Sequence, residues 1–286
     1  MAEGFRSEIP WATKTQQLNQ RPRSARGRLG GVSGAREILY GVHPVREALR
    51  AGRRRVFQLH LRARDRPEVR DLEAAARAAG VPVSPADRDL LAQLAGAEAR
   101  TQGVVLEVGP LPELEPVELA PAGAGGSLLV ALDGVEDPQN VGAIVRVAEA
   151  AGADGLILTR RRAPPLSPAL ARASAGAIEH LPVARASNLS QTLKVLKTKD
   201  YWIFGGDARA GDDLFRLPDR VVTGRKVVVL GAEGRGLRQA VLEQVDHRVR
   251  IPLAGRVGSL NVAAAAAVLL FELRRRGPDP RHEGFA

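Results

Sequence analysis

The sequence predicts an α/β protein: a small α/β unit over residues 36–109, then a larger unit over 127–276 built on a mostly parallel sheet. Three observations predict this. From Ser127 onward, short apolar runs alternate with helical stretches, the pattern of a sheet covered by helices on both faces. The run 128–132 is continuously apolar rather than alternating, as in a strand buried on both sides. Between the units, residues 110–126 carry Pro110, Pro112, Pro116 and Pro121 and then Gly123, Gly125 and Gly126, which reads as a linker.

Residues 1–35 are polar and basic with little periodicity and read as a disordered tail. In the small unit the spacing predicts a helix over 42–49, a strand over 56–61 and a helix over 67–79. That second helix has apolar positions Val69, Leu72, Ala75, Ala76 and Ala79 and ends at Gly80, a residue suited to a helix terminus. A short strand (81–83), a helix (87–94) and a strand (103–108) complete the unit. In the larger unit, strands are predicted at 128–132, 156–158, 201–204, 227–230 and 249–251, and helices at 141–151 and 259–276, with a tail over 277–286.

Composition excludes several classes. The 286 residues include no Cys, which removes disulfides, cysteine–zinc sites and cysteine nucleophiles. The histidines (His43, His60, His180, His247, His282) form no ligand pair, so no metal is expected. No apolar run reaches the length of a membrane span and no apolar signal-peptide core is present, so a cytoplasmic protein is expected. Between Arg21 and Arg64 lie twelve Arg, no Lys and two acids, which accounts for the whole net charge of +10. A basic zone concentrated at one end suggests a polyanion partner such as nucleic acid.

Three motifs carry candidate chemistry. The first, Asp133-Gly-Val-Glu-Asp-Pro-Gln-Asn140-Val-Gly-Ala-Ile-Val-Arg146, follows the first buried strand. Asn140 stands near the start of a helix, either as a site residue or as a cap. Arg146 has the apolar neighbours Ile144, Val145, Val147 and Ala148, which argues for a directed role. Six residues amount to a rotation of about 240°, so the two side chains need not share a face. The second, Val227-Val-Val-Leu-Gly231-Ala-Glu233-Gly234-Arg-Gly236-Leu237, runs from a buried strand into a glycine-rich turn. Its GxxGxG spacing is neither the dinucleotide fingerprint nor a phosphate loop. The third, Ile251-Pro-Leu-Ala-Gly-Arg-Val-Gly258-Ser259-Leu260-Asn261-Val262, leads into the last helix. Ser259 is expected to cap that helix. Asn261, a poor interior residue in an Ala/Val/Leu helix, needs partners that a binding site would supply.

In this order and spacing the three motifs resemble those of the SpoU family of RNA ribose methyltransferases, within the SPOUT class, over Ser127 to Arg276. The segment Leu39-Tyr-Gly-Val-His-Pro-Val-Arg-Glu-Ala-Leu49, with Thr101-Gln-Gly-Val-Val-Leu106, resembles the substrate-binding domain of the bacterial 23S rRNA (guanosine-2′-O-)-methyltransferases, whose fold is like some ribosomal proteins. Thr101 stands where that subgroup often has His, and Ala263 where Ser is common. The resemblance implies a C-terminal fold with a deep trefoil knot, a homodimer with its site near the subunit interface, and S-adenosylmethionine as methyl donor. It assigns Asn140, Arg146, Glu233, Ser259 and Asn261 to the chemistry. It assigns the cofactor to backbone groups around Gly231, Ile251 and Leu260. A guanidinium stays protonated, so Arg146 is better suited to stabilising an alkoxide or gripping a phosphate than to acting as a base. Glu233 is expected to orient Arg146 or the substrate.

The implied partner is RNA, with 23S rRNA first. Two other readings use the same residues: the same chemistry on tRNA or on an rRNA adenosine, as in antibiotic-resistance methylases, and a non-catalytic RNA-binding assembly factor. The N-terminal segment counts against tRNA, and the intact set of site residues counts against the second. An oxidoreductase on an open sheet fails for lack of a dinucleotide or phosphate-loop spacing.

Overall fold

Two sheets organise the chain. The computed structural model describes residues 36–62, 66–120 and 126–277, so the expected tail over 1–35, and all but Gly277 of the expected tail over 277–286, lie outside the described residues. The small sheet contains β1 (Glu37–Tyr40), β2 (Val56–Leu61), β3 (Val83–Pro85) and β4 (Val104–Val108) in the order β1-β4-β2-β3, with α1 (Val42–Ala51), α2 (Pro67–Ala78) and α3 (Arg88–Ala95). The large sheet contains β5 (Glu113–Leu114), β6 (Leu128–Asp133), β7 (Gly155–Thr159), β8 (Val183–Ala186), β9 (Tyr201–Gly206), β10 (Asp212–Asp213), β11 (Arg225–Gly231) and β12 (His247–Arg250). Its order is β10-β12-β9-β11-β6-β7-β8-β5, and every neighbouring pair is parallel. Its helices are α4 (Pro138–Ala150), α5 (Pro168–Ala173), α6 (Leu189–Lys197), α7 (Asp219–Val222), α8 (Gln239–Leu242) and α9 (Val262–Arg275). No helix among the described residues is long and apolar enough to cross a membrane.

The unbroken apolar run of β6 follows from burial on two sides. Leu128, Val130 and Leu132 enter a core shared with α4 and α9, while Leu129 and Ala131 enter a second core with Leu189, Leu193 and Leu196 of α6. Each fully buried Leu or Val contributes about 1.5–3 kcal/mol. On α9, Val262, Ala266, Leu269, Leu270 and Leu273 form the buried stripe, and Arg274 Nε closes the end of α4 by donating to Ala151 O at 2.9 Å. Against the other side of α4 lies α5, so near that a Cβ on Gly142 would stand 2.4 Å from that of Ala173.

Local chemistry moved several expected boundaries. The helix expected from 141 begins at Pro138, because Asp137 caps it by accepting from Gln139 N at 3.0 Å and proline suits a first turn. The strand expected at 81–83 starts at Val83, because Val81 N is taken by Ala76 O at 2.8 Å to finish α2, with Gly80 left-handed at φ 71. The stretch read as a linker carries structure. β5 joins the edge of the large sheet beside β8, and the 3-10 turn Pro116–Leu119 buries Leu119 against Gly155, while 121–125 lies outside the described residues.

From Arg36 onward the described residues belong to one compact unit, and a buried ion pair joins its two sheets. Arg54, just after α1, donates through Nε to both oxygens of Glu179, at 3.1 and 2.8 Å. Its Nη1 reaches Glu37 at 2.6 Å and Gly109 O at 3.2 Å. The Arg54 and Glu179 side chains are 1% and 0% exposed. Arg53 adds bonds to the Glu179 and Leu181 carbonyls at 3.2 and 2.9 Å. His180 meets Glu47 of α1 at 2.9 Å, and that hydrogen bond holds the Glu47 carboxyl below its ordinary pKa.

Candidate active site

All three motifs leave the sheet at its carboxyl edge. The first follows β6, the second β11 and the third β12, and Gly231 lies in register with Asp133. In an open parallel sheet this edge is where ligands bind. β9 lies between β11 and β12, so its end, Gly206 and Asp207, joins the same edge. The loops enclose a cleft of about 900 Å³, lined among others by Gly206, residues 230–237, Ile251, Leu253 and residues 258–262.

A hydrogen-bonded triad closes the cleft on the α4 side. Asn261 Nδ2 donates to Asn140 Oδ1 at 2.9 Å and to Glu233 Oε1 at 2.9 Å. Asn140 Nδ2 donates to the same carboxylate oxygen at 3.4 Å, and Val262 N at 3.5 Å. The other oxygen, Oε2, has no protein partner among the described residues. One residue from each motif thus meets at a single point.

The last helix is not capped by Ser259, as its sequence suggested. Ser259 stays on the exposed loop and forms no side-chain hydrogen bond among the described residues, although it lines the cleft. Asn261 is the cap, its Oδ1 accepting from Ala263 N at 2.9 Å. Both residue types cap well, but the chain stays non-helical through Asn261 (φ −54, ψ 144), so the second one is used. The amide is therefore divided: its oxygen holds the helix and its nitrogen holds the site. Asn140, in the first turn of α4, is not a cap, because Asp137 takes that place.

Arg146 lies outside the triad. It is exposed on α4 and has no hydrogen-bond or ion-pair partner among the described residues, and Glu233 meets the two asparagines rather than this guanidinium. Of the cofactor positions, Gly231, Ile251 and Leu260 all line the cleft. A Cβ on Gly231 would stand 2.2 Å from the Gly236 carbonyl carbon, so only glycine lets the turn fold back on the strand end.

Sequence reasoning missed two supports. Asp133, with a fully buried side chain, accepts from Arg238 N at 2.8 Å and Arg238 Nε at 2.6 Å, and this ties the start of the first motif to the end of the glycine-rich turn. Asp207 pairs with Arg248 at the cleft. Burial works to raise the Asp207 pKa, but hydrogen bonds from Arg248 and from Arg209 N outweigh it and hold the carboxyl below its ordinary value. The Gly-Gly-Asp sequence ending β9 was the available signal.

Both parts of the chain resemble known proteins. Residues 127–271 match the family described as SpoU rRNA Methylase, and residues 38–114 match RNA 2′-O ribose methyltransferase substrate binding. The chain is 40% identical over 247 residues to the 23S rRNA (guanosine-2′-O-)-methyltransferase RlmB of Pseudomonas aeruginosa, covering 85% of this chain and 98% of that protein. It resembles the AdoMet-bound rRNA methyltransferase of Sinorhizobium meliloti with TM-score 0.70 and 28% identity, over 84% of this chain and 87% of that one. The SpoU methyltransferase AviRb of Streptomyces viridochromogenes, in complex with AdoMet, matches with TM-score 0.70 and 26% identity, over 94% and 98%.

Proposed function

The chain belongs to the SpoU rRNA methylase family, and on that premise we propose that it methylates the ribose 2′-hydroxyl of a guanosine in 23S rRNA with S-adenosylmethionine as donor. The observation that carries the reading is the meeting of Asn140, Glu233 and Asn261 at the side of one cleft on the carboxyl edge.

The residues present fit this cofactor. The cleft has the volume of a small-molecule site, and glycine backbone and aliphatic side chains line it together with the charged Asp207, Arg209, Glu233, Arg235, Arg248 and Arg250. Gly231, Ile251 and Leu260 would hold it. When bound, the cofactor supplies a methyl group already activated on a sulfonium. What remains is to orient a ribose hydroxyl and to stabilise the oxygen as its proton leaves. The triad fixes Glu233 through Oε1 and leaves Oε2 to accept a hydrogen bond from that hydroxyl. The protonated Arg146, free of protein partners among the described residues, stabilises the developing alkoxide or holds the neighbouring phosphate.

The small unit over 36–109 delivers the RNA to the unit over 127–276. The reading also carries the knotted C-terminal fold, a cytoplasmic location and a homodimer. Val257 and Phe271, outside the cleft lining, are exposed large apolar side chains suited to meeting a second copy. Mapping ribose methylations in rRNA from a deletion strain tests the proposal. One 23S guanosine should lose its 2′-O-methyl group and regain it on complementation. An unchanged map would refute the substrate.

A further inference from the structure

Three consecutive arginines follow β7 at the same sheet edge as the triad, outside all three motifs. β7 pairs with β6, Leu132 lying opposite Leu158, so the loop after Thr159 and the loop that leads into α4 and Asn140 leave adjacent strands. Adjacent strands are about 4.8 Å apart. Arg160, Arg161 and Arg162 are all exposed there. Only Arg160 has an acidic partner, Glu115 at 3.3 Å, and neither the Arg161 nor the Arg162 guanidinium has a partner among the described residues.

The loop is held from beneath. Arg185, largely buried in β8, donates to Thr159 O at 3.3 Å and to Pro164 O at 2.8 Å, and so spans the loop from start to end. Thr159 Oγ1 donates to Arg161 O at 2.5 Å, and Arg160 N to Ala186 O at 2.9 Å. Arg162 is left-handed at φ 60, a conformation that non-glycine residues rarely adopt, and this scaffold maintains it. The loop then enters α5, where exposed Arg172 lies over the ring of Tyr40 in β1, 4.4 Å from its centre. Exposed arginines thus stand at both ends of this segment, Arg161 and Arg162 at the sheet edge and Arg172 beside the small sheet.

We propose that Arg161 and Arg162, continued by Arg172, grip backbone phosphates of the substrate RNA and lead the strand from the small sheet to Asn140. The inference rests on the proposed function for the identity of the polyanion. Guanidinium forks suit phosphate oxygens, and such interactions set position rather than sequence preference. The test uses the full chain with R161A/R162A, then with R172A added, binding a 23S rRNA transcript across about 50–200 mM salt. Removing one phosphate-gripping guanidinium should flatten the log–log salt slope by about 0.7–0.9, so the slope of the double variant falls by about 1.5 and that of the triple variant by about 0.8 more. Affinity at about 0.1 M salt should fall about ten- to thirty-fold in the double variant. Cofactor titration and thermal melting should be unchanged. An unaltered slope in a folded double variant overturns the proposal. If the wild type moves no label to this RNA but the slope still flattens, the substrate reading fails and the grip stands.

Discussion

Arg146→Ala should lower methyl transfer by about 10²–10³-fold, the cost of removing one donor aimed at a developing oxyanion. Folding should be unaffected, because the side chain is exposed and has no partner among the described residues. Such surface changes usually stay within about 0.5 kcal/mol. Cofactor affinity should also hold, since Arg146 is not among the residues lining the cleft. Arg146→Lys should rescue little, because a point charge replaces a planar fork poorly. Tritium transfer from labelled S-adenosylmethionine to 23S rRNA, beside a thermal melt and a cofactor titration, measures all three. Near-normal turnover would remove Arg146 from the chemistry. Lost cofactor binding with intact folding would move it to the cofactor side.

Glu179→Ala should have the largest effect on stability. It leaves Arg54, whose side chain is 1% exposed, with Glu37 and one carbonyl as its remaining partners. Removing one member of a buried ion pair costs about 3–5 kcal/mol. Melting should fall by roughly 6–20 °C at about 2–4 °C per kcal/mol for a chain of this size. Arg54→Met with Glu179→Leu should lose less than Glu179→Ala alone, because no unpaired charge stays buried. A melt unchanged by Glu179→Ala would mean that the pair does not join the two sheets in solution.

Much of the architecture was legible because burial on two faces leaves a plain mark. The runs at β6 and β11 are apolar without interruption, and each leads into a motif. β8 was not legible, because Arg185 interrupts Val183-Ala-Arg-Ala, and only the fold shows that its guanidinium is satisfied by two carbonyls and Glu113. α6 escaped notice although Asn188 caps it, accepting from Gln191 N at 3.1 Å. At the site, the motifs marked Asn140, Glu233 and Asn261 individually. Their meeting depends on β6, β11 and β12 ending at one edge, which spacing along the chain does not encode. The same holds for Arg54 and Glu179, which stand 125 residues apart.

The central claim is that the methyl group goes to a ribose oxygen of a guanosine. It is tested most directly by the chemical position of the label. Wild-type protein, tritiated S-adenosylmethionine and 23S rRNA are incubated, and the RNA is then hydrolysed in alkali. Alkaline cleavage needs a free 2′-hydroxyl to attack the adjacent phosphate, so a 2′-O-methyl group protects the bond that follows it. The label should appear in alkali-stable dinucleotides that begin with guanosine. Label in mononucleotides released by alkali would place the methyl group on a base and contradict the account.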